Sequence, residues 1–248
     1  MCDQGCQQNL RVEKGVSWDT NNTTMVILAH RANLEGPNPK LENSLAATRR
    51  ALEEGFGIET DLQRDADRQF YISHDLGPRT QENDFGGFSE LFRKFDDRVI
   101  AMNVKELGYE AELIDLQISG AMGRHSFYFD FELLEPATPG RTQKMLQTLS
   151  DGGQVRMASR LSDRNEPLDQ SLSIPATIIW ADEFDSLWLT REHIEAVHAA
   201  GRQVYAISPE IHGFKKVDRL RRWGEFKEWG IEGLCTDEAL EAQAFFNS

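Results

Sequence analysis

Three consecutive segments set the fold: MVILAHR (25–31), LENSLAATRRALEEG (41–55) and GIETDLQRDADRQFYISHD (57–75). The first is an apolar run that reads as a buried strand over residues 25–29 and ends in His30 and Arg31. The second spaces Leu45, Ala46, Leu52 and Phe56 along one helical face, opens at Glu42 and Asn43, and is stopped by Gly55 and Gly57. The third returns to strand character and ends in His74 and Asp75. Strand, helix and strand in this order form the βαβ unit of a parallel sheet.

Residues in a strand alternate faces, so Glu59 and Asp61 of IETDL point the same way. Two neighbouring carboxylates repel, and a cation, a shared proton or exposure to water must relieve that repulsion. A divalent cation, Mg²⁺ or Ca²⁺, held by carboxylate and phosphate oxygens is one solution. A solvated strand end is the other. His30 and His74 close two apolar runs on either side of the acidic pair, and histidine both accepts and donates a proton near neutrality.

Working outward, residues 1–24 are polar, with Asn21-Asn22-Thr23-Thr24 as a turn signal, and are expected to be a short N-terminal extension to a single domain over residues 25–248. The loop ANLEGPNPK follows the first strand. Arg79, in the segment 76–98, could contact a phosphate but reads more simply as a solvated loop residue. A third strand, RVIAMNVKE (98–106), sets Asn103 and Lys105 on one face. In a fourth, HSFYFDFELL (125–134), alternation assigns Phe127, Phe129 and Phe131 to the helix-covered side and Tyr128, Asp130 and Glu132 to the interior. Charges inside a barrel require partners, which makes Asp130 and Glu132 either further metal ligands or members of an ion pair. A fifth strand lies near QVRMASRL (154–161), where Arg156 and Arg160 could face a phosphate but read more simply as surface residues. The sixth, ATIIWADEF, carries Trp180, suited either to stack on a polar headgroup or to fill the barrel. His193 and His198 lie on a helix far from any strand end. Strand–helix alternation repeats about eight times with no dividing linker, so the expected fold is α/β, a (β/α)8 barrel of parallel strands, ahead of an open doubly wound sheet.

The 248 residues carry a formal net charge of −14 and 40% hydrophobic residues, enough apolar content for one substantial core. The charge argues against nucleic acid or an anionic membrane as partner. No run approaches the roughly 18 apolar residues of a membrane span, and the N-terminus lacks a signal-peptide pattern, so a soluble cytoplasmic protein is expected. Three cysteines, Cys2, Cys6 and Cys235, make no disulfide framework. Oligomeric state is not legible.

His30-Arg31, Glu42-Asn43-Ser44, Glu59-Thr60-Asp61 and His74-Asp75, in this order, resemble the pattern of the glycerophosphodiester phosphodiesterases, whose barrel is similar to that of phosphatidylinositol-specific phospholipase C. The closing GLCTD (233–237) also resembles that family. The resemblance implies a metal-assisted phosphodiester hydrolase for a small glycerophosphodiester-like molecule. His30 and His74 would be its general acid and base, Glu59 and Asp61 its metal ligands, and Arg31 and Lys105 its phosphate contacts, with Glu42 and Asn43 nearby. The family pattern places glutamate where this chain has Asn103, which removes one negative charge from the implied metal site. That departure motivates a competing reading, a barrel-fold binding or regulatory protein with weakened or lost catalysis. A sugar-active barrel using Asp130 and Glu132 is a third reading, and it leaves His30, Arg31 and His74 without roles.

Overall fold

A computed structural model describes residues 25–150 and 155–248. The expected extension 1–24, with Cys2 and Cys6, lies outside the described residues. In chain order the elements are β1 (Val26–His30), α1 (Leu45–Glu53), β2 (Gly57–Arg64), β3 (Phe70–Ile72), α2 (Phe85–Lys94), β4 (Val99–Val104), α3 (Glu110–Ile118), β5 (His125–Phe129) and α4 (Phe131–Leu134). There follow α5 (Arg141–Leu149), β6 (Ala158–Ser162), α6 (Leu168–Ser173), β7 (Ile178–Asp182), α7 (Arg191–Ala199), β8 (Gln203–Ile207), a 3₁₀ turn (Pro209–His212), α8 (Lys216–Trp229), β9 (Gly233–Thr236) and α9 (Ala239–Phe246).

The sheet runs β5-β4-β2-β1-β9-β8-β7-β6, all parallel, with β3 added to β2 as an antiparallel hairpin. Its two ends meet through the parallel bridge Tyr128–Met157. The result is a (β/α)8 barrel, and the open-sheet alternative is excluded by that closure. One apolar cluster lies between strands and helices; a second fills the barrel with Leu28, Ala101, Phe127, Phe129, Trp180, Tyr205 and Cys235 among others. Space inside is tight enough to dictate glycine at two positions. A Cβ on Gly57 would meet Leu28 at 2.6 Å and the Val99 carbonyl at 2.7 Å, and one on Gly233 would meet the Tyr205 ring at 2.1 Å.

The parity expected for the fourth barrel strand is reversed. Phe127 pairs with Ala101 and Phe129 with Asn103, and the small Ala101 leaves room for rings inside the barrel. Phe129 packs on Trp180 with centroids 4.2 Å apart, and Phe127 meets Tyr205 at 5.4 Å. Tyr128 instead points outward, where its hydroxyl donates to the Leu113 carbonyl at 2.8 Å. The strand stops at Phe129, because Asp130 takes a left-handed conformation at φ 73° and starts α4. Strand alternation therefore does not extend to Asp130 and Glu132.

Helix α1 also begins later than its pattern implies. Ser44 is the N-cap, accepting from the Ala47 N–H at 3.1 Å. Asn43 sits at φ 56°, so Glu42 and Asn43 belong to the preceding turn. The buried side of α1 is Thr48, Ala51 and Leu52, with Ala46 exposed.

Candidate active site

The carboxyl ends of β1, β2 and β4 converge, as register requires: His30 lies beside Glu59, and Asp61 beside Asn103. Loops at this end of a barrel carry its chemistry. Glu59 and Asp61 are both at least 97% buried, so the acidic pair is not a solvated strand end.

Each acid has its own environment. Asp61 Oδ1 receives Lys105 Nζ at 2.7 Å, and Oδ2 receives Asn43 Nδ2 at 2.8 Å. Arg31 Nε stands 3.5 Å from the same Oδ2, an ion-pair contact without hydrogen-bond geometry. Burial alone would raise the Asp61 pKa, but Lys105, Asn43 and Arg31 outweigh it and hold the carboxyl below the usual range. Among the described residues Glu59 accepts only the Arg31 backbone N–H, at 3.2 Å, with His30 Nε2 at 3.8 Å. Burial, then the Asp61 charge, pushes Glu59 up to about 7.

His30 is oriented by a residue the sequence did not single out. Asp237, just past β9, lies 2.8 Å from His30 Nδ1, and Asn33 Nδ2 donates to the same oxygen at 2.9 Å. Burial lowers the His30 pKa, yet the Asp237 hydrogen bond and the charges of Glu59 and Asp237 prevail and raise it above its ordinary value. Asp237 in turn is held low: burial opposes this, and the His30 contact, Asn33 and Arg31 bring it about. The one available signal was its place in GLCTD at a strand's carboxyl end.

The backbone here is strained in consecutive positions. Arg31 (φ 49°), Ala32 (φ 65°) and Asn43 (φ 56°) are all left-handed without being glycine, a conformation that costs of order 1–3 kcal/mol each and gathers at functional sites. The turn is clamped by Asn33 N–H to the His30 carbonyl at 2.9 Å and Asn43 N–H to the Arg31 carbonyl at 2.8 Å. It turns Arg31 toward Glu42, with Nη1 3.5 Å from Oε1.

His74 stands apart from this cluster. Its side chain is 40% exposed, its ring contacts Asp75, and it lines a cleft of about 330 Å³ together with Glu42, Asn43, Ile72 and Thr80. Trp180 is 98% buried within the barrel. Asp130 pairs with Arg160, and Glu132 Oε1 accepts the Arg160 backbone N–H at 3.1 Å. Neither contacts Lys105. Arg160 itself, expected on the surface, is 98% buried, because carboxylates from three segments enclose it. Arg79 pairs with Asp65 and Asp84. His193 caps α7 through Thr190 and His198 meets Glu232, structural positions as expected.

The divalent cation implied for Glu59, Asp61 and Asn103 does not fit the donors as they stand. Both Asp61 oxygens are engaged, one of them by a fixed ammonium. At 4 Å and an effective dielectric of 20, the attraction of about 8 kcal/mol that each of Glu59 and Asp61 would offer a +2 ion is matched by a repulsion of the same size from each of Lys105 and Arg31. Asn103 supplies a neutral oxygen where a third charge would be needed to offset it. Among the described residues no three His, Cys, Asp or Glu side chains group to hold a metal ion. The two acids are balanced by Arg31 and Lys105.

No protein-family model and no curated protein sequence matches the chain. Solved structures do. A Galdieria sulphuraria protein, provisionally named a glycerophosphodiester phosphodiesterase, superposes with a TM-score of 0.68 at 18% identity, covering 90% of this chain and 98% of that one. A glycerophosphoryl diester phosphodiesterase from Parabacteroides distasonis gives 0.65 at 13% identity, over 91% and 87%. An Oleispira antarctica phosphodiesterase, solved with its product sn-glycerol-3-phosphate, gives 0.63 at 14% identity, over 91% and 98%. At these identities the likeness is one of fold. No helix among the described residues is long and apolar enough to cross a membrane.

Proposed function

We propose that this chain hydrolyses a small phosphodiester of the glycerophosphodiester type. The observation that carries the reading is the buried Glu59–Asp61 pair ringed by His30–Asp237, Arg31 and Lys105 at the carboxyl end of the barrel. The shared fold with phosphodiesterases, one of them solved with sn-glycerol-3-phosphate, supports the substrate class.

Arg31 and Lys105 provide two fixed positive charges for the non-bridging phosphoryl oxygens, and these act most strongly as charge accumulates in the transition state. Lys105 serves as a point charge and Arg31 as a planar fork of donors. Asp61 holds both, with Lys105 Nζ at 2.7 Å and Arg31 Nε at 3.5 Å from its two oxygens. His30 takes the proton of the attacking water through Nε2, while Asp237 accepts from Nδ1–H, fixes the tautomer and stabilises the imidazolium. Glu59, 3.8 Å from Nε2, stabilises the same cation. His74, the second histidine of the sequence reading, which left open which ring is acid and which base, lies on the rim of the adjoining cleft.

The test is turnover of glycerophosphoethanolamine and of bis(p-nitrophenyl) phosphate by the wild-type protein and by His30→Gln. Cleavage by the wild type that falls at least 10²-fold in the variant supports the reading. Equal rates in the two proteins would refute the role of His30. The competing reading, a binding protein without turnover, is favoured by Asn103 and by the Lys105–Asp61 pair; it predicts saturable binding of sn-glycerol-3-phosphate with no cleavage.

A further inference from the structure

The barrel mouth has a second charged arc that the phosphate site does not use. Arg160 on β6 bonds Glu166 through Nε at 2.9 and 3.0 Å, Asp130 through Nη1, and Asp182 on β7 through Nη2 at 3.2 Å. Asp182 Oδ1 in turn lies 2.6 Å from Nε2 of His212, at the end of the 3₁₀ turn after β8. Arg160 and Asp182 are almost wholly buried, whereas the His212 side chain is 19% exposed. A buried guanidinium thus fixes a buried carboxylate, which fixes the more exposed ring of His212. The carboxylate requires Nε2–H on His212, and the other nitrogen, Nδ1, makes no hydrogen bond within the described residues.

Several observations put His212 over the mouth. Trp180, two residues before Asp182 on β7, faces the barrel interior, so Asp182 does too. Ile211 packs against the interior cluster, so the 3₁₀ turn folds across the barrel end. Glu210 of the same turn accepts the Asp237 N–H at 3.2 Å, and Asp237 holds His30. The two Asp–His dyads are therefore joined by one chain of contacts around the rim. Glu59, Asp237, Glu210 and Asp182 all bear on the buried Cys235 thiol, whose pKa rises through burial first and then through these four charges.

We propose that His212, positioned by Asp182 and Arg160, is the second proton-transfer residue of the site and protonates the leaving alkoxide while His30 deprotonates the attacking water. This rests on the phosphodiesterase reading above. As the water oxygen bonds to phosphorus, its proton passes to His30 Nε2. The bond from phosphorus to the alcohol oxygen breaks, and that oxygen takes the proton of His212 Nδ1–H. The products are a phosphomonoester and an alcohol, and solvent returns both rings to their starting states. Around the barrel the order is β1-β9-β8-β7, so His30 ends β1 and the His212 ring, seated on Asp182 of β7, faces it from the other side of β9 and β8. In-line displacement needs its two proton-transfer groups on opposite sides of the phosphorus. His74, 40% exposed with an exposed Asp75 as its ring partner, has no comparable support.

The experiment measures kcat/KM of His212→Gln, Asp182→Asn and His74→Gln on glycerophosphoethanolamine, whose alkoxide must be protonated to leave, and on bis(p-nitrophenyl) phosphate, whose nitrophenolate leaves without a proton. Thermal unfolding reports that each variant is folded, and glutamine can still donate to Asp182. His212→Gln is expected to lower the alkyl-to-aryl ratio of kcat/KM by at least 10²-fold, Asp182→Asn to lower it by a smaller factor in the same direction, and His74→Gln to leave it unchanged. An unchanged ratio in folded His212→Gln, or a ratio that collapses in His74→Gln instead, overturns the assignment. If the wild type cleaves neither diester, the phosphodiesterase reading itself falls and this inference with it, an outcome distinct from an intact activity indifferent to His212.

Discussion

Substituting Asp237 by Asn tests the candidate site at the residue on which His30 most depends. The Asp237 carboxylate lies 2.8 Å from His30 Nδ1, so when the ring gains a proton the two charge centres stand about 4 Å apart. At an effective dielectric of 20 that attraction is about 4 kcal/mol, or close to three powers of ten in rate. The substituted amide keeps the shape, and its carbonyl can still accept from Asn33 Nδ2, which lies 2.9 Å from the native oxygen. The fold should therefore survive. We expect kcat/KM on bis(p-nitrophenyl) phosphate to fall about 10³-fold in Asp237→Asn with little change in melting temperature. The pH profile gives an independent readout. His30 acts as a base only when unprotonated, and its pKa is held above the ordinary value of 6.5 partly by the Asp237 hydrogen bond and charge. The acid limb of the wild-type profile should thus lie above that value and move to lower pH in the variant. A folded variant within threefold of wild type, or an acid limb that stays in place, would show that Asp237 does not tune His30.

Three further expectations follow from the geometry. Asn103→Glu restores a third negative charge beside Asp61, so Tb³⁺ luminescence titration should give at least tenfold tighter binding than wild type, while EDTA leaves wild-type activity within twofold; a wild type that loses activity to EDTA would refute the charge balance described for Asp61 and Lys105. Glu132 is 3% exposed, its Oε2 has no hydrogen-bond partner among the described residues, and burial raises its pKa from 4.5 to about 7; the folded state then holds a proton that the unfolded state releases, so this group's contribution to stability is greatest below pH 4.5 and is lost as pH rises through 7, by about 3 kcal/mol. Glu132→Gln should flatten that decline in urea unfolding, and an identical pH dependence in both proteins would count against it. Trp180 sits at 2% exposure against Phe129, so Trp180→Ala should cost about 3–5 kcal/mol of stability, whereas a stable variant with a raised KM would mark Trp180 as a headgroup contact.

The first half of the chain was legible because its information is local. Strand parity sets Glu59 beside Asp61, and register adds His30 and Asn103 from the neighbouring strands. The second half was not, for reasons visible in particular residues. Alternation through FYFDFELL presumed a strand that Asp130 ends by turning left-handed. Arg160 sits in the strand QVRMASRL but as a lone basic residue reads as a surface group; its burial depends on Asp130, Glu166 and Asp182 arriving from three separate segments. His212 belongs to a short 3₁₀ turn with no periodic signal. Asp237 meets His30 across 207 residues of sequence, a pairing that only closure of the barrel creates.

The change at Asn103 is best understood as part of a redistribution of charge. With glutamate there, three acids could support a divalent ion while Lys105 stayed free for phosphate. With asparagine, Asp61 and Glu59 face Arg31 and Lys105 as two charges against two, and the lysine settles on Asp61 at 2.7 Å. Glu59 is then the acid left without a side-chain cation in hydrogen-bond contact, and burial, followed by the Asp61 charge, raises its pKa. The unmet demand for positive charge falls on His30, the nearest titratable ring, at 3.8 Å. With a neutral side chain at Asn103 on β4, the charge that most lowers the Glu59 pKa is that of His30, paired with Asp237 on the other side of β2. It follows that Asn103→Glu, even before any ion binds, should release Lys105 from sole custody of Asp61 and make activity more sensitive to Lys105→Met. Equal effects of Lys105→Met in the two backgrounds would break the coupling on which this redistribution depends.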